Sequence, residues 1–138
     1  MASATQVRVA PERHLVLVVE DDGALREAIV ALLEAEGYRA VGVGDGAEAL
    51  EALRTGRVHP CLILLDLMMP RTDGKQFRSE QLGDRALAVI PVVMMSAAVN
   101  RPQVNGHGDA FLPKPIDVAR MLALVETHCA LAAGDGHR

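Results

Sequence analysis

The chain has 138 residues, half of them hydrophobic and 2% aromatic, and a formal net charge of −4 at pH 7. This length and apolar content fit one domain with one core and exclude an intrinsically disordered chain. The negative charge, the scarcity of aromatic residues and the lack of a Lys/Arg cluster argue against a nucleic-acid surface, and no apolar run approaches the roughly 20 residues of a membrane span.

Five short apolar segments with strand composition alternate with segments of helical periodicity. In chain order, the predicted strands cover residues 14–20, 39–43, 61–67, 90–96 and 110–114. Because these strands are unbroken apolar runs separated by helices, we expect a parallel sheet with helices on both faces. The predicted fold is a doubly wound α/β domain with a five-stranded parallel sheet.

Aspartates precede the predicted helices. Asp22, Asp45 and Asp117 each stand before a segment with helical apolar spacing, and an aspartate side chain can accept hydrogen bonds from the first N–H groups of a helix. A less regular helix follows Asp73-Gly74. Since a helix cap explains Asp22 fully, we interpret it as a cap and not as a metal ligand.

The chain shows no internal repeat and no linker that would divide it. We interpret residues 1–13 as a polar N-terminal extension, residues 14–131 as the domain and residues 132–138 as a C-terminal tail. The first of these segments lacks the apolar core of a signal peptide, so we expect a cytoplasmic protein.

Two cysteines, Cys61 and Cys129, lie in apolar surroundings and have no metal-ligand spacing. Free cysteine is among the most buried residue types and packs like a small hydrophobic residue. We therefore expect both cysteines to be reduced, buried and structural.

Polar side chains stand at the carboxyl ends of the predicted strands. Glu20 and Asp21 belong to the first strand's end, Asp66 to the third, Ser96 to the fourth and Lys114 to the fifth. In doubly wound sheets, the functional crevice lies outside the carboxyl ends of the strands. We therefore expect these side chains to converge.

The types of these residues indicate phosphoryl chemistry. Crowded carboxylates repel one another, and a hard divalent cation with oxygen ligands, Mg²⁺ above all, relieves that repulsion. A metal ion and a lysine can neutralise phosphoryl oxygens, while a serine hydroxyl donates a hydrogen bond and a carboxylate attacks phosphorus. Asp66 is the candidate nucleophile.

From about residue 14 to residue 130, the chain closely resembles the receiver domains of two-component response regulators. The residues that carry the resemblance are, in order, Glu20-Asp21, Asp66, Met69-Pro70, Asp73-Gly74, Ser96-Ala97 and Lys114-Pro115. The resemblance implies a flavodoxin-like (βα)5 fold of the kind found in single-domain chemotaxis receivers.

The resemblance also implies a phosphorylation site and a metal site. Asp66 matches the aspartate that accepts a phosphoryl group from a sensor histidine kinase or a histidine phosphotransfer protein. Glu20, Asp21, Asp66 and the backbone carbonyl of Met68 match the ligands of Mg²⁺. These roles are expectations that come from the family.

A second group of matches concerns the response to phosphorylation. Ser96 and Lys114 match the hydroxyl residue and the lysine that contact the phosphoryl group, and the bond before Pro115 is expected to be cis. Ser96 and Phe111 match the pair that shifts on phosphorylation. The implied switch acts on interactions with an unknown downstream protein.

The implied function is that of a phosphoacceptor receiver in a phosphorelay. Such a domain is not an enzyme toward other substrates, since it catalyses only its own phosphorylation and dephosphorylation. We expect no direct contact of this chain with nucleic acid or membrane.

Three other functions fit the residues less well. A flavin-binding module would need a Ser/Thr/Gly-rich phosphate loop after the first strand, where this chain has the acidic residues 20–22. An aspartyl phosphatase would need a second acid two residues beyond Asp66, where Met68 stands. The serious alternative is an unphosphorylated receiver-like scaffold that only binds protein, and the complete set of acidic, hydroxyl and lysine residues argues against it.

The segment between Ser96 and Lys114 departs from the family pattern. It is a few residues shorter than is usual in the family, contains Pro102, Gly106 and Gly108, and has no apolar stripe with helical spacing. We therefore expect the fourth helix of the fold to be shortened or missing.

Overall fold

The computed structural model describes residues 12–67, 74–97 and 110–130. These residues form five strands and five helices. The strands are β1 (Glu12–Val19), β2 (Arg39–Val43), β3 (Pro60–Asp66), β4 (Val92–Ser96) and β5 (Ala110–Pro113). The helices are α1 (Gly23–Ala35), α2 (Gly46–Arg54), α3 (Gly74–Leu82), α4 (Arg85–Ala88) and α5 (Val118–His128).

The strands form one sheet in the order β2-β1-β3-β4-β5, and every neighbouring pair is parallel. The strand order therefore reverses between β1 and β3, which is the position where doubly wound sheets form their functional crevice. This confirms the predicted doubly wound sheet. The helix predicted to be shortened or missing is not α4 but the one expected between β4 and β5. Its residues, 98–109, lie outside the described residues, as do most of the predicted terminal segments.

Both faces of the sheet are buried because alternate side chains of each strand point to opposite faces. In β1, Leu15, Leu17 and Val19 pack in one apolar cluster with residues of α2, α3 and α4. Val16 and Val18 pack in a second cluster with residues of α1 and α5. Every residue of β3 is buried, so Asp66 stands at the end of the central strand in a closed environment.

The predicted caps Asp22 and Asp117 are confirmed, and Asp45, which was predicted to open the second helix, caps it as well. Asp22, Asp45 and Asp117 precede α1, α2 and α5, and each accepts a hydrogen bond from the N–H three residues later, at 3.1, 2.8 and 3.1 Å. Two helices are followed by glycines with positive φ, Gly37 at 99° and Gly56 at 78°, a conformation that other residues rarely adopt. None of the described helices is long and apolar enough to cross a membrane.

The four-residue helix α4 was not predicted. Asp84 caps it by accepting a hydrogen bond from the N–H of Ala86 at 3.1 Å. The buried Gln81 then donates from Nε2 to the carbonyl oxygens of Leu87 at 2.8 Å and Ile90 at 3.0 Å. These tertiary bonds fix α4 beside α3. A four-residue helix is too short to show a periodic pattern, so the sequence did not indicate it.

The prediction that Cys61 and Cys129 are reduced is wrong. Both are buried, as predicted, but they form a disulfide across 68 residues of sequence. The buried side chains of Met121 and Val125 hold α5 on the sheet, and Cys129 follows them at the same spacing of four. This packing brings the C-terminal end of α5 to the start of β3, which local sequence patterns do not reveal.

Candidate functional site

The carboxyl ends of β1 and β3 bring three carboxylates together. Glu20 and Asp21 directly follow β1, and Asp66 is the last residue of β3. One carboxylate oxygen of Glu20, one of Asp21 and one of Asp66 all lie within 4.8 Å of one another. Glu20 and Asp66 are buried whereas Asp21 is exposed, so the group has one side open to solvent.

Lys114 supplies the positive charge that compensates two of these carboxylates. Its Nζ lies 2.8 Å from Oε1 of Glu20 and 3.6 Å from Oδ2 of Asp66. The Lys114 side chain is 18% exposed, and those of Glu20 and Asp66 are 1% and 3% exposed. Solvent therefore screens these ion pairs weakly.

The surroundings of Lys114 change its pKa. Burial lowers the pKa of the ammonium, but the close contact with Glu20 and the charge of Asp66 outweigh burial and raise the pKa above its usual value. Lys114 is consequently protonated throughout the physiological pH range.

Two backbone features place Lys114. Its N–H donates to the carbonyl oxygen of Ser96 at 2.8 Å, which fixes it beside the end of β4. The Lys114-Pro115 bond is cis, as predicted. Ser96 is buried at the end of β4, and Phe111 lies partly buried in β5 opposite Met94.

Glu20 is held by contacts from three directions. Its N–H donates to the carbonyl of Val43 at 3.1 Å, and its Oε2 accepts from the N–H of Asp22 at 3.1 Å. Its Oε1 is paired with Lys114 by distance, but this buried atom has no partner of good hydrogen-bond geometry among the described residues. Oε1 therefore retains bonding capacity for another positively charged group.

This donor set fits a hard divalent cation. Three carboxylates with a buried and incompletely bonded oxygen are the ligand type that Mg²⁺ and Ca²⁺ prefer, and the group contains no Cys or His ligand for a softer metal. Asp22 is exposed and accepts the hydrogen bond that caps α1, which confirms its interpretation as a cap. Met68, whose carbonyl was expected in the metal site, lies outside the described residues.

Arg26 is a positioning residue that sequence reasoning missed. Its Nη1 donates to the backbone carbonyl of Glu20 at 2.8 Å. The stem of Arg26 crosses Gly42, where an added Cβ would lie 2.9 Å from Cγ of the arginine. The sequence shows a basic residue one helical turn after the cap Asp22. Its contact with the carboxyl end of β1 can be seen only in the folded structure.

Gly74 was predicted only as part of a turn, yet the structure shows why a glycine stands there. Its N–H donates to the carbonyl of Leu67 at 3.0 Å. A Cβ at this position would lie 2.5 Å from Cα of Leu67 and 2.6 Å from the carbonyl oxygen of Asp66. The first turn of α3 therefore packs directly against the end of β3.

This close approach predicts a large difference between two glycine substitutions. Gly74→Ala is expected to lower the free energy of unfolding by about 2 kcal/mol, because backbone atoms of Leu67 and Asp66 must move to admit a methyl group. Gly83→Ala is the matched control, since its Cβ would meet only ordinary contacts at 3.6 Å. We expect the control to change stability by less than about 0.5 kcal/mol in urea unfolding. Equal effects of the two substitutions would contradict the close packing at Gly74.

Comparison with known proteins gives a consistent result. A family model described as a response regulator receiver domain matches residues 16–126. The transcriptional regulatory protein CseB of Streptomyces avermitilis is 34% identical over 125 residues, which cover 85% of this chain and 49% of that protein. The DNA-binding response regulator MtrA of Mycobacterium tuberculosis is 32% identical over 117 residues, which cover 82% of this chain and 49% of that protein. The chain spans about half the length of these relatives.

A solved structure is similar over most of the chain. It is the signal receiver domain of a signal transduction histidine kinase from Syntrophus aciditrophicus, with a TM-score of 0.73 and 28% sequence identity. The match covers 83% of this chain and 88% of that one. The likeness therefore extends over the sheet and its helices and is not confined to the acidic cluster.

Proposed function

This chain belongs to the response regulator receiver domain family, and we propose that Asp66 is the residue by which it acts as a phosphoacceptor. The phosphoryl donor is the phosphohistidine of a sensor histidine kinase or of a histidine phosphotransfer protein. The observation that carries the proposal is the convergence of Asp66 with two other carboxylates and with the Nζ of Lys114 at the carboxyl end of the sheet.

In the transfer, a carboxylate oxygen of Asp66 attacks phosphorus in line with the bond to the histidine nitrogen. The new O–P bond forms an acyl phosphate, and the N–P bond breaks with its electron pair going to the imidazole. Because Asp66 ends a strand whose residues are all buried, its side chain is fixed in position and loses little freedom in the reaction.

We assign the metal ligands to Glu20, Asp21 and Asp66, with the carbonyl of Met68 as the family's further ligand. When bound, Mg²⁺ neutralises charge on the phosphoryl oxygens. Glu20 is already oriented for this role by its bonds to Val43 and Asp22. Arg26 donates to the backbone carbonyl of Glu20 and so fixes the peptide that leads to Asp21. Asp21 is exposed, which leaves one side of the site open to the donor.

Lys114 and Ser96 complete the phosphoryl site in this proposal. Lys114 is held between two buried carboxylates before the reaction, so its ammonium is in place to contact a phosphoryl oxygen on Asp66. The hydroxyl of Ser96 donates a second hydrogen bond to that group. The backbone bond from Lys114 to Ser96 keeps the ends of β4 and β5 in register during this change.

The output of the switch is a change in protein–protein contacts through Ser96 and Phe111. Phe111 is only partly buried and packs against the apolar cluster on one face of the sheet, so its side chain can reach the surface. The partner is a downstream protein, since the chain's charge of −4 disfavours direct contact with nucleic acid. The domain works in the cytoplasm and is not an enzyme toward other substrates. No observation favours the alternative of a scaffold that is never phosphorylated.

Metal dependence tests this assignment. With phosphoramidate and Mg²⁺, we expect the intact mass of the full chain to rise by one phosphoryl group, and EDTA should prevent the rise. Asp21→Ala should weaken Mg²⁺ binding in calorimetric titration by at least about tenfold, the usual effect of losing part of a metal site.

The matched control is Asp22→Ala, which removes a neighbouring acid that caps α1. It should cost about 1 kcal/mol of stability and leave Mg²⁺ affinity within about twofold. Labelling in EDTA, or equal losses of Mg²⁺ affinity in the two variants, would overturn the assignment of the metal ligands.

A further inference from the structure

The disulfide lies at the end of the sheet opposite to the carboxylate cluster. Cys61 is the second residue of β3, whose last residue is Asp66, and Cys129 directly follows α5. Cys61 and Asp66 are five positions apart along an extended strand, a distance of about 16 Å. The disulfide is thus a separate feature, and none of the residues in the proposed phosphoryl site contributes to it.

The disulfide forms part of the wall of a surface cleft of about 400 Å³. The other residues that line the cleft are Pro91, Glu126, Thr127, His128 and Ala130. Cys61 and Cys129 are each 8% exposed, which is little but not zero. A small thiol can therefore approach the bond through the cleft while the sheet remains folded.

The structure also accommodates the reduced form. The Sγ of Cys61 lies 3.1 Å from the carbonyl oxygen of Leu15, a distance at which a thiol could donate a hydrogen bond. Cys129 belongs to the apolar cluster that contains Met121 and Val125, and a free cysteine packs there as a small hydrophobic residue. Reduction therefore leaves no buried polar group without a partner at Cys61.

The covalent bond holds only the end of α5. Met121 and Val125 are fully buried on the sheet and keep most of the helix in place without the disulfide. The last residues before the disulfide, Glu126 to His128, have no fully buried side chain. Cleavage is therefore expected to release the last turn of α5 and to leave the sheet intact.

We propose that Cys61 and Cys129 form a reversible dithiol–disulfide site that exchanges with a dithiol reductant. The inference rests on the proposed function in one respect, because a cytoplasmic phosphoacceptor works where thiols are kept reduced and where disulfides are transient and redox-sensing. In such a compartment, the bond responds to the redox state and does not serve as a permanent crosslink.

The exchange proceeds in two steps. One thiolate of the reductant attacks a sulfur of the disulfide, forms a mixed disulfide, and releases the other cysteine as a thiolate that takes up a proton. The second thiol of the reductant then attacks the mixed disulfide and frees the remaining cysteine. The chain gains two electrons and two protons as two thiols, and the reductant leaves as its own disulfide.

The test uses the full chain without denaturant and dithiothreitol as the dithiol. After oxidation in air, alkylation with iodoacetamide should modify neither cysteine, and after dithiothreitol it should modify both. Amide exchange in residues 126–130 should rise by about tenfold on reduction, while exchange in residues 62–66 should change less than about twofold. Re-oxidation should restore the first pattern.

Three results would overturn the proposal. Both thiols could stay open to alkylation after oxidation, which would mean that no disulfide forms. The disulfide could resist dithiothreitol until the chain is unfolded, which would make it a permanent crosslink. Reduction could unfold the chain, as circular dichroism would detect, and then no reversible site exists.

Phosphorylation measured in the same samples separates this proposal from the proposed function. A chain that takes up a phosphoryl group but fails the thiol tests contradicts only the redox site. A chain that passes the thiol tests but takes up no phosphoryl group contradicts only the role of Asp66.

Discussion

Asp66→Asn is expected to abolish phosphorylation by phosphoramidate and Mg²⁺, with a rate loss of more than about a thousandfold. The asparagine amide is neutral and does not attack phosphorus, whereas its size preserves the packing at the end of β3. Asp66 lies in the acidic cluster, 3.6 Å from the Nζ of Lys114, and ends the central strand β3. The intact mass after timed incubation measures the loss.

Asp45→Asn provides the matched control for this change. Asp45 caps α2 outside the acidic cluster, and asparagine caps a helix about as well as aspartate. The same chemical substitution should therefore leave both stability and phosphorylation rate near those of the unmodified chain. If Asp66→Asn were labelled as fast as Asp45→Asn, another residue would have to be the nucleophile.

Lys114→Ala is expected to lower the free energy of unfolding by about 3 kcal/mol in EDTA. Removing one partner from a buried ion pair leaves the other charges uncompensated at a cost of about 3–5 kcal/mol, and the partial exposure of Lys114 places the effect at the lower end of that range. Glu20 and Asp66 would then repel each other without a cation between them. Urea unfolding measures the change.

Unfolding of the same variant in the presence of Mg²⁺ tests the prediction a second time. A bound cation compensates the same carboxylates, so Mg²⁺ should stabilise Lys114→Ala by more than it stabilises the unmodified chain. Arg120→Ala, which removes an exposed cation on α5, should behave like the unmodified chain in both conditions. A Lys114→Ala variant that lost less than about 0.5 kcal/mol would contradict the role of the ion pairs in stability.

The raised pKa of Lys114 fixes the sign of the pH dependence of this contribution. A lysine whose pKa is higher in the folded than in the unfolded chain contributes stability fully below its unfolded pKa of about 10.4. The contribution is lost as pH rises through the folded value. The difference in stability between Lys114→Ala and the unmodified chain should therefore be constant from pH 6 to pH 9, within about 0.5 kcal/mol.

Local patterns were sufficient to predict the sheet. Unbroken apolar runs predicted strands buried on both faces, and the first predicted strand, residues 14–20, differs from β1 (Glu12–Val19) by two residues at most at either end. Aspartates before apolar stripes predicted three helix starts, which the structure confirms. These features depend on residues that are close in sequence, so the sequence carries them directly.

Features that depend on distant contacts were missed. Helix α4 exists because the side chain of Gln81 bonds to two backbone carbonyls beyond its own helix. The disulfide exists because α5 packs on the sheet beside the start of β3, and its two cysteines are separated by 68 residues. Neither arrangement leaves a periodic trace in the sequence.

The residues of the candidate site also fall into a predictable and an unpredictable group. Glu20, Asp21, Asp66 and Lys114 could be predicted to converge, because one topological rule places the carboxyl ends of parallel strands at one edge. Arg26 and Gly74 could not, since their importance lies in a bond to the Glu20 carbonyl and in a close approach to the Asp66 backbone. The side chains that meet at strand ends were thus predictable, whereas the residues that position them were not.

Chemical mapping of the phosphoryl group tests the assignment of Asp66 most directly. After phosphorylation with phosphoramidate and Mg²⁺, borohydride reduces an aspartyl phosphate to homoserine, which tandem mass spectrometry locates in the sequence. We expect homoserine at position 66 and unmodified aspartate at positions 21 and 22. Homoserine at either of those positions, or a phosphoryl group retained on serine or histidine with Asp66 unchanged, would contradict the assignment.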